Sequence, residues 1–108
     1  MTAKAKALLV LCTAGKKAQA EKIARALVQE RLAACVNVLP HIHSHYRWQG
    51  KVQSDPETLM LIKTTPRRLA ALTKRIQALH SYTIPEVIAL PITGGSAAYL
   101  RWLLASTR

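Results

Sequence analysis

The segment from Cys35 to Trp48 constrains the fold most, because apolar or aromatic residues alternate with polar ones along it. The even positions include Val36, Val38, Ile42, Tyr46 and Trp48, and the odd positions include Asn37, His41, His43, His45 and Arg47. This alternation is typical of a β-strand, and a bulge at Pro40 could swap its two faces.

One strand of this length spans about 45 Å at ~3.3 Å per residue. A domain of this size has a radius of gyration of only about 13 Å. We therefore expect the strand to project and to pair with another copy of the chain.

The other periodicities predict a regular order of strands and helices. The predicted elements are a strand at Ala7–Thr13, a helix at Lys17–Ala34, strands at Cys35–Trp48 and Glu57–Thr64, a helix from Thr65-Pro66 to His80, a strand at Ile84–Ile92, and a short helix capped by Gly94-Gly95-Ser96. This order is the ferredoxin-like arrangement. We predict an α+β fold in a single domain, residues 1–108. It is a ferredoxin-like βαββαβ sandwich with an extra C-terminal helix and a long projecting hairpin between the second and third strands.

The charge of the chain bears on its partners. Its 16 Lys and Arg against 5 Asp and Glu give a net charge of +11, which favours attraction to nucleic acid, anionic membrane or acidic ligands. An aromatic content of 5% disfavours a single-strand nucleic-acid platform, which needs several stacking rings. The basic residues fall on the outer sides of the two long helices, where a solvated surface is the favoured interpretation. No run approaches the ~20 apolar residues of a membrane span.

The two cysteines, Cys12 and Cys35, are too few for a disulfide framework, which fits a reducing compartment. The N-terminus faintly resembles a signal peptide, but its apolar core, Ala7 to Leu11, is too short for one. We interpret this segment as the first strand and predict a cytoplasmic protein.

Cys12 and His80 are the main metal candidates. In the predicted topology the first and fourth strands are antiparallel neighbours. Cys12 is at the end of the first strand and His80 precedes the fourth, so both lie at the same end of the sheet. A thiolate with an imidazole suits copper or zinc. The alternative is a buried structural cysteine and a surface histidine, and it remains open at this stage. Cys35 should lie at the opposite end and serve core packing.

The three alternating histidines raise a second metal question, since imidazole is a common ligand. Along a straight strand the Cα atoms of His41 and His45 are about 13 Å apart, so three rings could hardly share one ion. We keep an accessory metal site at His43 and His45, which another subunit could complete.

Several motifs together resemble the CutA family over roughly residues 7 to 105. They are L-C-T-A, R-L-A-A-C-V-N, Y-R-W-Q-G-K, L-I-K-T, H-S-Y-T-I-P-E-V-I-A-L-P-I and Y-L-R-W-L. The resemblance implies a homotrimer with hairpins paired between neighbours, and a role in divalent-cation tolerance with copper binding. It also implies a likeness to the PII signalling proteins. Family copper positions match Cys12 and His80, while Leu79 stands where some members carry a second histidine.

The resemblance also implies a ligand cleft between subunits. The family signature that would line it comprises Tyr46, Trp48, Lys51, Glu57, Lys63, Tyr82 and Glu86. The alternative is that these residues make buried hydrogen bonds and ion pairs at the interface. We expect copper as Cu2+ or Cu+, zinc as the second choice, no organic cofactor and no catalysis.

Three hypotheses of function follow. The first is a cytoplasmic homotrimer that binds copper for buffering or sensing. The second is a PII-like trimer that binds a small anionic ligand in its clefts. The third and weakest is a basic nucleic-acid-binding domain, whose affinity would fall steeply with salt.

Overall fold

The computed structural model describes residues 5–108. Its elements are β1 (Leu8–Ala14), α1 (Lys17–Gln29), β2 (Cys35–Trp48), β3 (Lys51–Thr64), α2 (Pro66–Leu79), β4 (Ile88–Pro91) and α3 (Ala97–Ser106). The four strands form one antiparallel sheet in the order β2-β3-β1-β4. This is the ferredoxin-like arrangement, and it confirms the predicted α+β fold with its extra C-terminal helix. Residues 1–4, part of the N-terminal segment that resembles a signal peptide, lie outside the described residues.

The two long helices cover one face of the sheet. Residues that pair across neighbouring strands have their side chains on the same face of the sheet. The pairs on the helix side include Val10 with Ile62 and Cys12 with Met60. Ile23 and Leu27 of α1, with Leu72 and Ile76 of α2, complete this fully buried core. Burying each such aliphatic side chain stabilises the fold by about 1.5–3 kcal/mol.

Several element boundaries differ from the predicted ones. Strand β3 begins at Lys51 instead of Glu57. Helix α1 ends at Gln29 instead of Ala34, because the chain turns at Arg31, where φ is 60°. Strand β4 begins at Ile88 instead of Ile84, and Pro85 before it has no N–H to donate to a sheet.

The helix starts were predicted with mixed success. Pro66 opens α2 as predicted, but the side chain of Thr65 makes no capping hydrogen bond. Ser96 does cap α3, since its hydroxyl accepts from the Tyr99 N–H at 3.3 Å. Leu103 of α3 is buried in a small second cluster with Ala7 and Ala34.

The predicted bulge in β2 is present and swaps the faces of the strand. Leu39 is opposite Leu59, but Ile42 is opposite Glu57, so the register shifts between them. His41 occupies this bulge with a φ of 67°. Beyond the bulge the even positions of β2, including Tyr46 and Trp48, lie on the face away from α1 and α2. We call that face the open face.

The β2–β3 hairpin projects as expected from its length. Gln49 and Gly50 form its turn, both with positive φ, as two-residue hairpin turns require. The principal extents are 43 × 33 × 23 Å. None of the helices in residues 5–108 is long and apolar enough to cross a membrane.

Candidate functional site

A cavity of about 650 Å³ lies where the hairpin meets the loop between α2 and β4. Five of the predicted cleft residues line it: Tyr46, Trp48, Glu57, Tyr82 and Glu86. We call this cavity the acidic cleft. The bulge in β2 explains the convergence, because it brings the two aromatic residues of the hairpin to the face that Glu57 occupies.

The two lysines of the predicted cleft lie elsewhere in the subunit. Lys51 is opposite Trp48 at the hairpin turn but is not part of the cleft lining. Lys63 lies near the other end of β3, where its ammonium group donates to Asn37 Oδ1 and is 4.0 Å from Cys35 Sγ. No lysine or arginine is therefore among the residues that line the acidic cleft.

Glu57 and Tyr82 are joined at the floor of the cleft. The Tyr82 hydroxyl donates to Glu57 Oε2 at 2.6 Å, and Glu57 is only 8% exposed. Burial, and then this hydrogen bond to a carboxylate, raise the pKa of Tyr82. A Cβ at Gly15 would lie 3.1 Å from the Tyr82 hydroxyl, so glycine there leaves room for the ring.

Two further carboxylates add to the negative charge of this region. The Tyr46 hydroxyl donates to Asp55 Oδ2 at 2.5 Å, which raises the pKa of Tyr46. Partial burial, and then the nearby Glu57, raise the pKa of Glu86. Sequence reasoning missed Asp55, although it lies two residues before Glu57 and therefore on the same side of β3.

His80 is buried beside the cleft and both of its ring nitrogens are engaged. Nε2 lies 2.7 Å from the Thr13 carbonyl oxygen, and Nδ1 accepts from the Tyr82 N–H at 3.1 Å. A carbonyl can only accept, so the proton of the neutral ring is on Nε2. The ring also packs on Tyr82, with centroids 4.6 Å apart. His80 is thus not the surface histidine of the alternative interpretation.

Cys12 lies next to the same carbonyl group. Its Sγ is 3.8 Å from the Thr13 oxygen, so the structure brings Cys12 and His80 to one end of the sheet. Burial, and then Glu86 and Glu57, raise the pKa of the Cys12 thiol to about 12. Across residues 5–108, no group of three or more His, Cys, Asp or Glu is arranged to hold a metal ion.

The hairpin histidines are dispersed. His41 is in the bulge, while His43 and His45 are opposite Pro56 and Ser54 along the regular strand. All three are exposed, and His45 reaches the lining of the acidic cleft. The structure places no further Cys, Asp or Glu of residues 5–108 with them in a metal-binding group.

Comparison with known proteins gives one consistent result. Residues 8–106 match the family described as CutA1 divalent ion tolerance protein. The chain is 52% identical over 99 residues to the divalent-cation tolerance protein CutA of Thermus thermophilus, covering 92% of this chain and 96% of that one. It is 54% identical over 101 residues to the chloroplastic protein CutA of Arabidopsis thaliana, covering 94% of this chain but only 56% of that one.

Solved structures agree with the sequence comparison. The divalent cation tolerance protein of Thermus thermophilus superposes with a TM-score of 0.93 at 50% identity, covering 94% of this chain and 99% of that chain. The protein described as the periplasmic divalent cation tolerance protein CutA of Archaeoglobus fulgidus gives 0.91 at 35% identity, covering 94% and 99%.

These comparisons correct one prediction. The expected cytoplasmic location is contradicted, since relatives are named for the chloroplast and the periplasm. The prediction rested on the small number of cysteines, and two unpaired cysteines are compatible with many compartments. The family is named for divalent-ion tolerance and not for a reaction. The match along residues 8–106, with relatives above 50% identity, shows that this chain belongs to the CutA family of divalent-ion tolerance proteins.

Proposed function

We propose that this chain is a homotrimeric divalent-cation tolerance protein that binds copper through Cys12 and His80, in buffering or sensing of the metal. The observation that carries the metal site is the Thr13 carbonyl oxygen, which both Cys12 Sγ and His80 Nε2 contact. A soft thiolate beside an imidazole is a donor pair that selects copper or zinc over hard cations.

The open face supports self-association. Leu39, Ile88 and Leu90 lie on it with 51%, 53% and 43% of their surface exposed. The register places Ile88 opposite Leu11 and Leu90 opposite Leu9 on the same face, so the apolar residues are contiguous. Contiguous exposed apolar patches of this kind mark interaction surfaces.

Copper binding at this pair has two requirements. The Cys12 thiol must lose its proton, because the thiolate is the ligand. One His80 nitrogen must also give up its hydrogen bond in order to bind the metal. That bond is with the Thr13 carbonyl for Nε2 or with the Tyr82 N–H for Nδ1. Bound copper would then join the end of β1 to the end of α2. We expect zinc to bind less well, since zinc sites usually have at least three protein ligands.

The competing hypotheses find less support. A small anionic ligand would meet Glu57 and Glu86 in the acidic cleft with no lysine or arginine in its lining. For nucleic acid, the basic residues on α1 and α2 include Lys17 and Arg75, which pair with Glu21 and Glu30. This arrangement is typical of a solvated surface.

Copper titration of the assembled protein tests the proposal, with zinc as competitor. We expect Cys12→Ala to lose the tightest copper site and Cys35→Ala, which removes the other thiol, to keep it. Because a proton must leave a thiol whose pKa is about 12, copper affinity should rise with pH, by up to about tenfold per unit.

The control is a thermal unfolding curve for each variant, since Cys12 is fully buried. His80→Ala provides the second ligand variant and should lose the same site. Equal copper affinity in wild type and a folded Cys12→Ala variant would remove Cys12 from the site.

A further inference from the structure

Negative charge is concentrated at the acidic cleft. The chain has only 5 Asp and Glu and a net charge of +11. Glu57 and Glu86 line the cleft, and Asp55 is hydrogen-bonded to Tyr46 of its lining. The cleft is therefore a region of negative charge on a positively charged molecule, whereas the outer surface of the two long helices is basic.

Glu57 supplies a free acceptor oxygen to the lining of the cleft. It is more than nine-tenths buried, and its Oε2 accepts from Tyr82. Its Oε1 receives no hydrogen bond from the described residues. Glu57 also has no ion pair among residues 5–108, where the salt bridges are those of Glu21 and Glu30. No buried side-chain oxygen of residues 5–108 lacks a hydrogen-bond partner, so Oε1 keeps contact with solvent in the cleft. It can therefore accept a charge-assisted hydrogen bond from a cationic ligand.

Three aromatic rings form the rest of the binding surface. Tyr46, Trp48 and Tyr82 line the cleft, and in the single subunit each keeps about two fifths of its surface exposed, at 42%, 42% and 38%. Aromatic faces attract cations, tryptophan most strongly. Small-molecule pockets commonly measure about 300–1,000 Å³, so a cavity of about 650 Å³ accommodates an organic cation.

We propose that the acidic cleft binds an organic ammonium ion, specifically an aliphatic diamine or polyamine. One ammonium group donates to Glu57 Oε1 and the other to Glu86, while the aliphatic chain lies against the rings of Tyr46 and Trp48. A hard divalent cation fits less well, because such ions take six or more oxygen ligands and residues 5–108 contain no such ligand group. The site adjoins the proposed copper ligands, since His80 packs on Tyr82, but neither Cys12 nor His80 is among the residues that line the cleft.

Calorimetric titration with three linear four-carbon probes tests this on the assembled protein. Putrescine carries two positive charges, 1,4-butanediol carries none, and succinate carries two negative charges. We expect putrescine to bind saturably despite the +11 charge of the chain. Butanediol should not bind, and any heat from succinate should be unchanged by substitutions in the cleft.

Three variants locate the binding, each removing one carboxylate. We expect Glu57→Gln and Glu86→Gln to weaken putrescine binding by roughly tenfold to a hundredfold, as for loss of a charged hydrogen bond. Glu21→Gln, on the exposed surface of α1, should bind like wild type. If Glu57→Gln does not fold, the exposed Glu86 provides the decisive variant. Cys12→Ala should keep putrescine binding, which separates this test from that of the copper site.

Three results would overturn the proposal. One is no saturable putrescine binding, and another is equal binding by wild type, Glu57→Gln and Glu86→Gln. The third is a structure of the assembly in which a lysine or arginine of a neighbouring subunit occupies the cleft and pairs with Glu57.

Discussion

The two faces of the sheet carry similar aliphatic residues but have different environments. On the face beneath α1 and α2, Val10, Met60 and Ile62 have no exposed surface. On the open face, Ile88 and Leu90 are about half exposed. The covered face therefore accounts for the folding of the subunit, and the open face is available for assembly.

The largest expected effect comes from a charge on the open face. Ile88→Lys would bury an unpaired ammonium group in each copy of the proposed interface, at a cost of several kcal/mol per ion. We expect light scattering after gel filtration to show dissociation to monomers. Val28→Lys is the matched control, because Val28 is 42% exposed on α1 and should leave assembly intact. Dissociation by both variants, or by neither, would contradict the distinction between the faces.

Removal of side-chain volume from the covered face should be nearly as costly. Ile62→Ala leaves a cavity between β3 and the helices, and we expect the free energy of unfolding to fall by about 2–5 kcal/mol. Denaturant unfolding measures this. Val52→Ala, at a position that is 70% exposed, should change it by no more than about 0.5 kcal/mol. Similar losses in both variants would show that the covered face is not the main core.

The smallest expected effect concerns the bulge that moves Tyr46 and Trp48 onto the open face. His41 has a φ of 67°, which a β-branched side chain tolerates poorly. We expect His41→Val to cost about 1–2 kcal/mol of unfolding free energy, and His43→Val on the regular strand to be nearly neutral. Equal effects would indicate that the bulge imposes no backbone strain.

Much of the fold could be predicted from local patterns. The alternation from Cys35 to Trp48 gave both ends of β2 correctly, because a strand with one buried face has a two-residue period. The end of α1 was missed, since Leu32 to Ala34 favour a helix by propensity while the turn at Arg31 buries them against the sheet.

The sequence indicated only part of the geometry of the candidate site. The structure places Glu57, Tyr82 and Glu86 in the lining of one cavity, and their role in a ligand cleft stays a prediction. Lys63 lies elsewhere because it is six residues after Glu57 on β3, near the C-terminal end of the strand. The two hydrogen bonds of His80 depend on the path of the loop after α2, which periodicity does not describe.

The mass of the wild-type protein in solution tests the central claim most directly, that the open face is an interface between copies of this chain. Sedimentation equilibrium at micromolar concentration should give three times the 11.9 kDa of one chain. A mass of 11.9 kDa across the concentration range would mean that the open face stays exposed to solvent, and it would contradict the account.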